Sequence, residues 1–141
     1  MSRTEKQLWN SLKKHLPKKT FSQRIENRSG AGMPDVYLCI NGVPIWLELK
    51  LIKNNTLDIR KSQIAWHTSH SFSNGVSFFL VKDPRTSNLF LFEGVLALNL
   101  RACAFDNIKD LSLICACASE DFWVRVSDIS RKLWNKKRSS N

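Results

Sequence analysis

No run of apolar residues in this 141-residue chain approaches the roughly 18 needed to cross a bilayer. Arg3, Glu5 and Lys6 stand where a secretory leader would be greasy. The expectation is a soluble, intracellular protein, cytoplasmic or, if viral, in the host cytoplasm, with no membrane partner. Cysteine is scarce as well. Cys39, Cys103, Cys115 and Cys117 fit no zinc-finger spacing and have no histidine at ligand distance along the chain. Cys115 and Cys117 fall in the apolar run 111–118, which predicts reduced, buried thiols. Acidic residues number 12 against 22 Lys and Arg, a net charge of +10. What is present is ordinary: 43% hydrophobic and 24% charged residues exclude wholesale disorder and collagen-like or coiled-coil designs. No repeat is visible.

The positive charge is segregated. Residues 1–28 carry +6, 29–100 +1, 101–130 −2 and 131–141 +5. Basic flanks around a near-neutral centre suit a polyanion laid across the domain, nucleic acid first among them. The candidate contacts are Lys13, Lys14, Lys18, Lys19, Arg24, Arg28 and Ser29 at one end, Lys53 in the centre, and Arg131, Lys132, Lys136, Lys137 and Arg138 at the other. A solubilising surface with a frayed tail is the alternative.

Ser2 and Glu5 match a capping box, and Leu8, Trp9, Leu12 and Leu16 repeat at helical spacing until Pro17. Glu5 lies at the middle of that stripe, so its carboxylate points inward. A short extended stretch over 21–27 and a glycine loop follow. Residues 36–40 and 43–51 read as strands joined by Asn41-Gly42, a two-residue hairpin signal. Such a loop pairs Ile40 with Val43, Leu38 with Ile45, Val36 with Leu47, and Asp35 with Glu48. Pro44 then falls at a position whose N–H the partner strand does not need. A helix is predicted over 58–71 with Ile59, Gln63, Trp66 and His70 on one face, then a strand covered on both faces over 76–81 and another over 89–92. Beyond residue 94 the expectations are a helix near 95–103, strands near 113–118 and 123–126, and a short helix opened by Ser127.

Chemistry concentrates in the hairpin. Two carboxylates facing each other at about 4.5 Å between Cα atoms repel. A divalent cation resolves this, because Mg²⁺ takes one or two carboxylates and completes its shell with water and phosphate oxygens. The Leu49 carbonyl is a further ligand candidate. Lys50 lies two residues beyond Glu48 on the same face, placed to orient water or stabilise charge on phosphorus. A surface hairpin with a Glu–Lys pair would be the bland alternative, but interleaved leucines argue for a covered strand where unpaired charge is costly.

Pro34-Asp35, twelve intervening residues, then Glu48-Leu49-Lys50 resemble the PD-(D/E)XK nuclease signature. Arg28-Ser29-Gly30, Gly32-Met33-Pro34-Asp35 and Gln63-Ile64-Ala65-Trp66 are similar to the virus-type replication-repair nuclease (VRR-Nuc) group and, more loosely, to archaeal-type Holliday junction resolvases. The likeness covers about residues 2–93. It implies an α/β (α+β) fold, a mixed central sheet with an αβββαβ core flanked by helices. The domain would span 1–130, with an elaboration over 94–130 and a basic tail over 131–141. It also implies that Asp35 and Glu48 are metal ligands, Lys50 is the catalytic lysine, Gln63 supports the site, and Glu5 is an outer metal ligand, with Glu26 its competitor. The activity implied is Mg²⁺-dependent endonucleolytic hydrolysis of DNA, Mn²⁺ able to replace Mg²⁺, on branched DNA by a homodimer. No small-molecule cofactor is expected.

Each auxiliary residue has a plainer reading: Glu5 only closes the capping box, Gln63 is a satisfied amide, Arg28 and Ser29 shape the glycine loop, and His67, His70, Trp46 and Trp66 pack. Three other functions share the same features: a restriction or homing-type enzyme, a non-catalytic nucleic-acid-binding module, and an RNA-directed nuclease.

Overall fold

The computed structural model describes residues 2–26 and 31–139. The Asn41-Gly42 reversal forms with positive φ at both residues, 49° and 80°, the twist that suits a tight hairpin. It joins β2 (Val36–Ile40) to β3 (Val43–Leu51) in the register expected, Ile40 opposite Val43 through Val36 opposite Leu47. β1 (Phe21–Arg24) lines up antiparallel on β2. β3 runs parallel to β4 (Ser77–Lys82), and the crossover between them carries α2 (Lys61–Phe72). β5 (Asn88–Glu93) and β6 (Ile114–Cys117) complete a six-stranded sheet in sequence order.

Strand alternation sends two apolar sets to opposite faces. On one face Leu38, Ile45, Leu47 and Leu80 meet Leu8, Trp9 and Leu12 of α1 (Arg3–Lys13) and Phe122, Trp123 and Val126 of α5 (Glu120–Ser139). The Trp123 indole N–H donates to the Leu12 carbonyl at 3.0 Å, locking the two helices together. On the other face Phe79, Val81, Phe90 and Phe92 pack beneath α3 (Ala97–Ala102) and α4 (Phe105–Ile108), with Ile64 of α2 against them. β4 feeds both cores, as a strand covered on two sides must.

Five expectations are corrected. Residues 123–126 are not a strand: Ser119 caps a helix through the Phe122 N–H, Glu120 and Asp121 complement its dipole, and the apolar residues recur at helical spacing onward to Leu133 and Trp134. The short run Phe122-Trp123-Val124 was legible either way. The basic segment is accordingly no separate tail, since residues 131–139 are the last turns of α5. α2 starts at Lys61 rather than 58, because Arg60 is extended (ψ 154°), which takes Ile59 off the helix. Cys115 and Cys117, expected to be buried, are exposed, as is Cys103; β6 is an edge strand that buries Ile114 and turns its cysteines outward. The helix expected near 95–103 is a 3₁₀ turn (Gly94–Leu96) leading into α3. No described helix is long and apolar enough to cross a membrane.

Candidate active site

The β2–β3 ladder stops at Val36–Leu47. The next hydrogen-bonded pair would need an N–H from Pro34, which has none. Asp35 fills the gap with its side chain: Oδ2 accepts the Leu49 N–H at 2.9 Å, while the Asp35 carbonyl accepts the Ile25 N–H at 2.8 Å. The carboxylate is thereby fixed against β3 at Leu49, one residue beyond the Glu48 that a regular ladder would have set opposite it. Glu48 and Lys50 alternate with Leu47 and Leu49, which belong to the opposite core. Asp35, Glu48 and Lys50 are 2%, 1% and 9% exposed, so three ionisable groups lie under cover where charge needs a purpose. The Lys50 ammonium donates to the Asp58 carbonyl at 2.6 Å, which fixes its direction.

These three groups open onto a cleft of about 620 Å³. Its walls are the first turn of α1 (Ser2, Thr4, Glu5), the turn after β3 (Lys53, Asn54, Thr56), and the start of α2 (Arg60, Gln63). Two helix N-termini therefore face it, each with a partial positive charge. Gln63 is buried and its side-chain oxygen accepts the Arg60 N–H at 2.9 Å, so it both caps α2 and lines the cleft. Glu5 also does two things. It lines the cleft, and its carboxylate accepts the Ser2 N–H at 2.9 Å in a closed capping box. Glu26 is exposed and ion-paired to Arg24, whose hydrogen bond holds its carboxyl below the usual range; it is not among the residues lining the cleft. Among the described residues no three His, Cys, Asp or Glu side chains gather closely enough to cage an ion unaided. The donor set at the floor is instead two buried carboxylates, which fits a hard divalent cation that takes its remaining ligands from water and phosphate.

Sequence reasoning gave no role to His67, yet it is fully buried beside this floor. Its Nδ1 lies 2.7 Å from Ser77 Oγ and its Nε2 4.0 Å from Glu48 Oε1. Burial, aided by the positive charges His70 and Lys50 would present and opposed by Asp35, pushes its pKa down to about 3, so the ring is neutral. The available signal was the i, i+4 spacing from Gln63, which puts both on one helix face. Arg60 falls inside the helix expected over 58–71; its extended backbone instead places it ahead of α2, on the wall of the cleft.

The candidate nucleic-acid contacts scatter. Lys53 lines the cleft. Lys13, Lys14, Lys18 and Lys19 are exposed, but Lys13 is eight residues, about 12 Å of helix axis, from Glu5. Arg24 pairs with Glu26. Lys136 is exposed on α5. Lys137 donates to the Gly75 carbonyl (2.6 Å) and Ser71 Oγ (3.2 Å), and Arg138 stacks on Trp134 and reaches the Asn74 carbonyl, so this end of α5 is clasped to the turn after α2. Arg28 and Ser29 lie outside the described residues. Trp46 and Trp66 are half-buried in a run of rings, Tyr37–Trp46 at 5.1 Å, Trp46–Trp66 at 5.6 Å and Trp66–His70 stacked at 4.6 Å, consistent with packing.

No family model matches the sequence, and no curated protein does; the likeness to the VRR-Nuc group stays a resemblance. Among solved structures, the chain is similar to Hjc, a Holliday junction resolvase from the archaeal hyperthermophile Archaeoglobus fulgidus, with 16% identity and a TM-score of 0.58 over 94% of this chain and 99% of that one. The mixed six-stranded sheet with helices on both faces is thus a fold that this chain shares with that structure.

Proposed function

We propose that this chain is a divalent-metal-dependent endonuclease that hydrolyses DNA phosphodiesters to 5′-phosphate and 3′-hydroxyl ends, with four-way or other branched DNA as its substrate. The observation that carries the reading is the burial of Asp35 and Glu48 beside Lys50 at the floor of one open cleft. The fold shared with a Holliday junction resolvase supports it, as does the net charge of +10.

Asp35, Glu48 and the Leu49 carbonyl would hold the ion. When bound, Mg²⁺, or Mn²⁺ in its place, supplies Lewis-acid polarisation of the phosphodiester. Lys50, held by the Asp58 carbonyl, keeps a proton at Nζ and stabilises charge that develops on the phosphate oxygens. Gln63 caps α2 and so keeps the positive end of that helix on the cleft. Lys53 and Arg60 on the walls pair with flanking phosphates. A homodimer with two such sites cuts both strands of a junction.

Incubation with four-way junction, flap, linear duplex and RNA, in Mg²⁺ and then in EDTA, tests this. Junction cleavage that EDTA abolishes is the expected result. Cutting that persists in EDTA, or no cutting of any DNA, overturns the reading, and a preference for linear duplex or RNA overturns the substrate.

A further inference from the structure

Three elements meet behind Glu48. His67 comes from α2, Ser77 from the start of β4 and Gly94 from the turn after β5. The 2.7 Å contact between His67 Nδ1 and Ser77 Oγ exists because residue 94 has no side chain. A Cβ there would sit 2.1 Å from Ser77 Oγ and 2.7 Å from His67 Nδ1. His67 is 0% exposed, with Phe79 against its ring at 4.3 Å. Its Nε2 has no hydrogen-bond partner at normal length, and Glu48 Oε1 stands 4.0 Å away. An orphaned buried ring nitrogen costs about 1–3 kcal/mol unless something is gained in return.

Which nitrogen carries the proton follows from these neighbours. With Nδ1 protonated, the Nε2 lone pair would face a carboxylate oxygen 4.0 Å away, which is repulsive. With the proton on Nε2, Ser77 donates its hydroxyl hydrogen to Nδ1 and the Nε2–H dipole points at Glu48. The second arrangement is favoured electrostatically.

We propose that His67 is a positioning residue, which steers the Glu48 carboxylate with its Nε2–H in the tautomer that Ser77 sets and Gly94 makes room for. This rests on the reading of Glu48 as a metal ligand. An outer donor of this kind orients the ligating oxygen and raises the affinity of the site, and its loss typically weakens metal binding 10- to 100-fold. His67 touches neither substrate nor ion.

The test is calorimetric titration of the DNA-free protein with Mn²⁺ alone, on wild type, Glu48→Ala, His67→Phe, His67→Gln and Ser77→Ala. Phenylalanine keeps the ring volume and loses the donor; glutamine places an amide N–H near the position of Nε2. Wild type is expected to bind and Glu48→Ala not to. His67→Phe should bind roughly ten-fold more weakly or worse, His67→Gln within a few-fold of wild type, and Ser77→Ala in between. Wild-type affinity in a folded His67→Phe overturns the positioning role while leaving the metal site standing. If that variant does not fold, unchanged affinity in Ser77→Ala overturns it instead. Absence of Mn²⁺ binding by wild type sinks the metal-dependent reading and this inference with it.

Discussion

The Asp35 carboxylate accepts the Leu49 backbone N–H at 2.9 Å, satisfying a donor left where the β2–β3 ladder ends, since the next pair would need an N–H that Pro34 lacks. One side chain therefore terminates the hairpin and floors the cleft. Asp35→Asn keeps an acceptor of the same size but removes the charge next to Glu48. Its melting temperature should equal or exceed that of wild type, since a buried like-charge neighbour is gone, while junction cleavage falls on the order of 100-fold or more. Asp35→Ala should lose cleavage and also about 1–3 kcal/mol of stability, because the Leu49 N–H is left unsatisfied. Thermal unfolding alongside cleavage separates the two; a destabilised Asn variant would contradict the division of roles.

Salt dependence distinguishes cations aimed at the cleft from those spent on the fold. Lys53→Ala and Arg60→Ala should each lower the slope of log affinity against log salt for duplex arms by about 0.9, the loss of one phosphate contact. Lys137→Ala should leave that slope alone and lower the melting temperature, since its ammonium is bonded to Gly75 and Ser71. A Lys137 variant with a flattened slope and unaltered melting would show the α5 end to be a DNA contact after all.

Burial depresses the pKa of His70, with the neighbouring Lys137 ammonium adding to the effect. Trp66 stacks on the ring and the chain at Gly75 presses against it. A histidine whose folded pKa lies below its unfolded value of about 6.5 leaves the unfolded chain to take up the proton first. Its stabilising contribution is complete above that pH and is lost as pH falls below it. The urea midpoint should therefore drop as pH is lowered from 7 towards 5, and less so in His70→Gln. By NMR the His70 titration midpoint should lie below 6.5 and rise in Lys137→Met. No movement in that variant would mean the lysine does not act on the ring.

Gly32 has φ +79°, and a Cβ there would fall 2.0 Å from the Ser62 carbonyl oxygen and 2.8 Å from the Gln63 nitrogen. This loop seats the segment carrying Asp35 against the first turn of α2. Gly32→Ala should cost about 1–3 kcal/mol for the strained backbone alone and reduce cleavage by displacing Asp35 from Gln63. Wild-type melting and activity in this variant would show the close approach to be dispensable.

The amino-acid order alone determined the hairpin, its register, the two-sided β4 and the convergence of Asp35, Glu48 and Lys50 on one region. These follow from local rules: a two-residue reversal fixes pairing, and alternation fixes the face. The burial of His67 behind Glu48 and the room that Gly94 leaves for Ser77 were decided only by tertiary structure. Each depends on residues 10 or more positions apart meeting across a helix–sheet interface, which no local period encodes. The fate of the basic residues was hidden for the same reason. Charge along a chain says how many cations there are, while the docking of α5 on the turn after α2 decides which of them are already bonded to carbonyl oxygens.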